Sequence, residues 1–212
     1  MTDILALDPN RRDNADLIYD AYRLGWLPPR SDFLSIVFDA TYGEGVFWKR
    51  YRPGNLLTND TRKPADRAYD FTEPFPEGLH GQYRTVVFDP PYKLNGKPTE
   101  DDRYGTDERV LVPERMRRIL AGVENCASLV APEGHLLVKC MDQVSLWRFW
   151  SQTEKIRAAM EQIPGFCYVG HLHLLEPTPR PQARQSTPRN NYSTLMAFKR
   201  NAARRPRARK AS

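Results

Sequence analysis

The residues best suited to chemistry in this chain are Asp89, Pro90, Pro91 and Tyr92, which end the apolar run Val86-Val87-Phe88. A run of that kind reads as a buried strand, and the two prolines stop it by removing backbone N–H donors and fixing φ near −65°. Pro90 also biases Asp89 toward extended geometry, so the corner is stiff. In an open α/β sheet, ligands sit just beyond the carboxyl ends of the strands, which would turn Asp89 and Tyr92 toward a crevice. A fixed carboxylate, exposed carbonyls and a flat ring are the parts needed to accept hydrogen bonds from an exocyclic amino group while stacking on the base that carries it.

A second candidate feature precedes it by about fifty positions. Phe33 to Phe38 reads as the first strand and runs into Asp39-Ala40-Thr41-Tyr42-Gly43-Glu44-Gly45, followed by a short helix from Val46 to Tyr51. Strand, glycine turn and helix form a βα unit whose loop lets a ligand approach the backbone closely. The second strand, Asn55 to Thr58, ends at Asp60, which is placed either to accept ribose hydroxyl protons or to act as an ordinary turn acid. A third short strand is expected over Ala68 to Phe71, and the fourth begins at Tyr83 and carries the acid and proline corner.

The remaining elements follow from periodicity. A short helix from Ala15 to Leu24, capped by Asp13 or Asn14 and stopped by Gly25, lies in an N-terminal extension (1–30). Pro113 opens a helix whose Met116, Ile119, Val123, Cys126 and Val130 form a core stripe. His135 to Cys140 is the fifth strand, and Lys139 within it either points into the crevice or, the commoner outcome, runs out from the sheet edge. A long helix is expected from Ser145 to Ile163, then a strand from Phe166 to Leu175 and a last strand from Asn190 to Phe198. These two strands form an antiparallel hairpin whose tip carries Arg180, Arg184 and Arg189.

At Asp89-Pro90-Pro91-Tyr92 the chain resembles the S-adenosylmethionine-dependent amino methyltransferases of nucleic acids. The resemblance covers residues 33–199 and implies a Rossmann-like α/β fold, with a mostly parallel seven-stranded sheet, an antiparallel last strand and helices on both faces. It implies that Asp89 and the Pro90 carbonyl bind the target amine and that Tyr92 stacks on a flipped base. An acid in the first position favours adenine-N6 in DNA. The same tetrapeptide occurs in ribosomal RNA guanine-N2 methyltransferases, so RNA stands as the alternative substrate, and a non-catalytic nucleic-acid binder as a second. Asp39, Ala40, Thr41, Gly43, Glu44 and Gly45 are similar to the family's methyl-donor loop, which cradles the methionine part of S-adenosylmethionine. Many members carry Phe where this chain has Thr41. Asp70 and Phe71 resemble the third-strand element that reads the cofactor adenine, with Asp66 as the alternative acid. Asn190 and Asn191 are similar to an element near the flipped base. The chemistry requires no metal.

Composition bounds the partners. The 212 residues suffice for one domain (31–199) with tails, and the formal charge of +6 is concentrated in seven basic residues between Lys199 and Lys210. That basic tail (200–212) reads as disordered and suited to phosphate backbones, whereas the body is near neutral. Lys93, Arg103 and Tyr104, in a long polar loop beside the corner, are further candidates for touching DNA. Cys126, Cys140 and Cys167 lack zinc-ligand spacing, and His171 and His173 share a strand face without an evident third ligand. No apolar run is long enough to span a bilayer and no leader is evident, so a soluble, cytoplasmic protein is expected.

Overall fold

A computed structural model describes residues 7, 11–92, 94, 112–145, 148–175 and 192–202. Its elements are α1 (Asn14–Arg23), β1 (Val37–Asp39), β2 (Leu56–Thr58), β3 (Tyr83–Phe88), α2 (Val112–Leu129), β4 (Val130–Cys140), β5 (Gln143–Ser145), β6 (Arg148–Trp150), α3 (Gln152–Glu161), β7 (Phe166–Leu175) and β8 (Tyr192–Arg200), with 3₁₀ turns at Val46–Trp48 and Glu77–Leu79. Six strands form one sheet in the order β2-β1-β3-β4-β8-β7. The pairs β1/β2, β1/β3 and β3/β4 are parallel, and β8 runs antiparallel to both β4 and β7. This is a Rossmann-like α/β sheet with one reversed strand, as the sequence implied, with six strands in place of seven among the described residues.

Alternation along the central strands splits the core in two. Val86, Phe88, Leu136, Val138, Met196 and Phe198 face Met116, Ile119 and Val123 of α2 and Ile156 and Met160 of α3. Val87, Leu137 and Leu195 face Leu17, Ile18 and Ala21 of α1 on the opposite side. Helices therefore cover both faces, and the strands that carry site residues are buried from both directions. The α1 cap forms as expected: Asp13 accepts from the Ala15 and Asp16 amides, and Gly25 follows the helix at φ 75°.

Three elements depart from the sequence reading. The first strand begins at Val37, because Asp32 Oδ1 captures the Leu34 and Ser35 amides in a turn that leaves Phe33 and Leu34 exposed. No strand forms over 68–71. Apart from an isolated Asn59/Arg67 bridge, that segment is held by the Asn59 side chain, which accepts from the Tyr69 amide at 2.7 Å and donates to its carbonyl at 2.9 Å. The long helix expected from Ser145 is a β5/β6 hairpin followed by a helix that starts only at Gln152. Aromatic residues at 149–150 suit the hairpin, and Ser151 caps α3 by accepting from the Glu154 amide.

Candidate active site

The glycine loop and the acid and proline corner meet at the carboxyl ends of adjacent parallel strands. The contact is direct: the Asp89 amide donates to Thr41 Oγ1 at 2.7 Å. Thr41 is thus the pin between the two corners. Sequence reasoning could not find this, since a threonine hydroxyl carries no signal for a partner 48 residues away. Valine at position 41 keeps the shape but leaves the Asp89 N–H without its acceptor. Thr41→Val is expected to cost about 1–2 kcal/mol of stability, read by urea denaturation.

On the loop side, Asp39 is buried at the end of β1 and accepts from Trp48 Nε1 at 2.7 Å and from the Thr41 amide at 3.0 Å. Burial pushes its carboxyl up to about 7, opposed by those two hydrogen bonds and reinforced by the negative charges of Asp89 and Asp60. Ala40 is buried and its amide donates to the Val87 carbonyl, which continues the β1/β3 pairing into the loop. Gly43 and Gly45 sit at φ 56° and 67°. At Gly45 any Cβ would also lie 2.6 Å from Tyr42 Oη, so the turn is open to glycine on two counts. Glu44 is exposed, with Lys63 Nζ 3.7 Å from its carboxylate.

Asp60 is tied into the same loop. Its Oδ2 accepts from the Gly43 amide at 2.9 Å, and its Oδ1 accepts from the Arg62 and Lys63 amides. Asn59 supports it by donating to the Ala40 carbonyl at 3.0 Å. Asp66 accepts from the Thr58 amide and hydroxyl, bonds that hold its carboxyl below the ordinary value and make it a turn residue. Asp70 is exposed and accepts from the Thr72 amide and hydroxyl. Phe71 stands edge-on to Phe88, with ring centroids 5.1 Å apart, behind the corner.

On the corner side, Pro90 is buried and Pro91 and Tyr92 are half-buried. The Asp89 side chain is 23% exposed, yet its Oδ1 is buried and has no hydrogen-bond partner among the described residues. Burial pushes this carboxyl up, and Lys139 pulls it back. The Tyr92 carbonyl accepts from Gln143 Nε2 at 2.7 Å and from Gln152 Nε2 at 2.6 Å. These two amides, also missed in the sequence, clamp the turn from the far side. Lys139 does not reach a sheet edge, because β4 is paired on both sides. It is buried and donates from Nζ to Tyr92 Oη at 3.1 Å.

The structure therefore gathers Asp39, Thr41, Gly43, Gly45, Asp60, Asp89, Pro90 and Tyr92 at one end of the sheet. Lys93, Arg103, Tyr104, Arg180, Arg184, Arg189, Asn190 and Asn191 lie outside the described residues, as does most of the basic tail. His171 and His173 do share a face, with rings 4.6 Å apart. Among the described residues no three His, Cys, Asp or Glu side chains gather closely enough to hold a metal ion, and no helix is long and apolar enough to cross a membrane.

No protein-family model matches the chain, and no curated protein sequence matches it. Solved structures do. PH0851 superposes with a TM-score of 0.55 at 15% identity over 88% of this chain and 45% of its own, so this chain spans about half its length. A structure concerned with the conversion of a disulfide bond into a thioacetal group during echinomycin biosynthesis gives 0.51 at 12% identity, over 87% of this chain and 81% of its own. The N-methyltransferase NodS from Bradyrhizobium japonicum WM9 covers 87% and 97% at 12% identity, with a TM-score of 0.46, below the level at which shared topology can be argued. At these identities the likeness establishes the fold and nothing finer.

Proposed function

We propose that the chain transfers a methyl group from S-adenosylmethionine to the N6 amino group of adenine in DNA, with the target base flipped out of the helix. The observation that carries this reading is the Asp89 amide to Thr41 hydroxyl bond. It joins a positive-φ glycine turn to a corner whose buried carboxylate oxygen has no hydrogen-bond partner among the described residues. The donor set fits the cofactor chemically. Three carboxylates, Asp39, Asp60 and Asp89, lie close enough that two of them raise the third, and such a gathering of acids suits a ligand bearing ammonium and sulfonium charges. Asp39, Thr41, Gly43, Glu44 and Gly45 would hold its methionine part, Asp60 its ribose, and Asp70 and Phe71 its adenine.

When bound, S-adenosylmethionine supplies an electrophilic methyl group, whose C–S bonding pair stays on sulfur as the amine lone pair takes the carbon. The chain's part is alignment in a water-poor pocket. Asp89 and the Pro90 carbonyl accept hydrogen bonds from the two amine protons, which turns the nitrogen lone pair toward the methyl group. Asp89 then carries the proton that the methylated amine sheds to solvent. Tyr92 replaces the stacking that the base loses on leaving the duplex. Lys93, Arg103, Tyr104, Arg180, Arg184, Arg189, Asn190, Asn191 and the basic tail would grip the strand around it.

The test is incubation of the purified protein with S-adenosylmethionine and unmethylated DNA or RNA, followed by digestion and mass spectrometry of the nucleosides. N6-methyladenine from DNA is expected. Methylguanine or methyladenine from RNA alone would move the activity to RNA, and no cofactor binding would leave a nucleic-acid binder without catalysis.

Cofactor affinity should depend on pH through Asp39. Its carboxyl is mostly neutral at pH 6 and mostly ionised at pH 8, and a cationic ligand favours the ionised form. Affinity is therefore expected to rise about tenfold between those values and to level off above them. Calorimetric titration at pH 6, 7 and 8 checks this, and Asp39→Asn should flatten the dependence.

A further inference from the structure

A cation buried inside a site built to hold an amine requires a reason. Lys139 lies at the carboxyl end of β4 with 3% of its side chain exposed, and its Nζ is 3.9 Å from Asp89 Oδ1. The same Nζ donates to Tyr92 Oη and sits 4.8 Å from the Tyr92 ring centroid and 5.7 Å from that of Phe47, in the turn after the glycine loop. One ammonium thus touches all three parts of the site: the acid, the stacking ring and the wall behind Gly45.

Asp89 Oδ1 has no hydrogen-bond partner among the described residues. A carboxylate so placed tends to take up a proton, and a protonated acid presents a donor where the reaction needs an acceptor. The other ionisable groups facing it do not prevent this. Asp39 on β1 adds negative charge, and Cys140 on β4 is a buried thiol whose ionisation burial and neighbouring acids oppose. Lys139 is the cation that compensates it, while its stem packs within the sheet.

We infer that Lys139 is a positioning residue that keeps Asp89 ionised and fixes the Tyr92 hydroxyl, so that the corner accepts an uncharged aromatic amine in preference to an alkylammonium. The last step rests on the methyltransferase reading. A base amino group is neutral and has protons to give to Asp89, whereas a protonated alkylamine would bring a second positive charge beside Lys139.

The decisive measurement is the titration midpoint of the Asp89 carboxyl in the free protein, followed by carbon-13 NMR and assigned by comparison with Asp89→Asn. Lys139→Met should raise the midpoint by about one pH unit or more, and Lys139→Arg should return it toward wild type. A midpoint unchanged in Lys139→Met, with a native thermal melt, overturns the inference. If that variant does not fold, Lys139→Gln is titrated and judged in the same way. The pH profile of methyl transfer gives the second arm, because its acid limb should move upward with the midpoint. A shifted midpoint in a protein that methylates no nucleic acid keeps the charge pairing and removes the functional reading. Active wild type with neither midpoint nor limb shifted in the variant does the reverse.

Discussion

Asp89→Ala is expected to lower turnover by about 10²–10³-fold, the scale of losing one charged or preorganised hydrogen-bonding group in a dry site. Cofactor affinity should stay within about twofold, because the Asp89 contact to the loop is made by its backbone amide, which alanine retains. The substitution also leaves the buried Lys139 ammonium without its counter-charge, so a loss of thermal stability is the expected direction, and the kinetics are read below the melt. Single-turnover kinetics and calorimetry on the same preparation separate the two effects. Comparable turnover in the variant would remove Asp89 from the chemistry. A parallel loss of cofactor binding would assign it to the cofactor site instead.

The second large effect is structural. Gly122 lies in α2 where a Cβ would come within 2.4 Å of Phe88 Cζ and 2.8 Å of Phe71 Cδ2. Phe88 is completely buried and immediately precedes Asp89, so it has little room to yield. Gly122→Ala gains helix propensity of about 1 kcal/mol against the clash, whereas Gly122→Val adds two more carbons and loses part of that gain. The valine variant should be destabilised by about 3 kcal/mol. Its melting temperature should fall by roughly 6–12 °C. Turnover should fall further than cofactor affinity, because the displaced ring carries the corner with it. A valine variant that melts with the wild type would mean that Phe71 and Phe88 can move aside and that α2 does not set the position of Asp89.

Gly122 also illustrates what the sequence could and could not disclose. The apolar stripe of α2 was legible because helical period alone places Met116, Ile119 and Val123 inward, but nothing local marks the one position where a strand residue presses against the helix. The acid and proline corner was legible for the opposite reason: two prolines and an acid after an apolar run act through their own backbone restrictions. Phe33-Leu34 read as strand because they are apolar, yet Asp32 captured their amides, and local capture outweighed side-chain pattern. The expected third strand failed similarly, since Asn59 satisfies Tyr69 from the side. Lys139 was ambiguous because its outcome depended on whether β4 was central, which is a property of the whole sheet. Thr41, Gln143 and Gln152 matter through single long-range hydrogen bonds, and no period or spacing encodes such bonds.

Leu94 has a wider consequence. Two residues after Tyr92 the chain dips back into the interior, where Leu94 is 2% exposed and its amide donates to Gln143 Oε1, and α2 then begins at Val112. Leu94 is therefore coupled to the corner through one amide: Gln143 takes the Leu94 N–H and gives its own to the Tyr92 carbonyl, so a change at position 94 is felt at Tyr92.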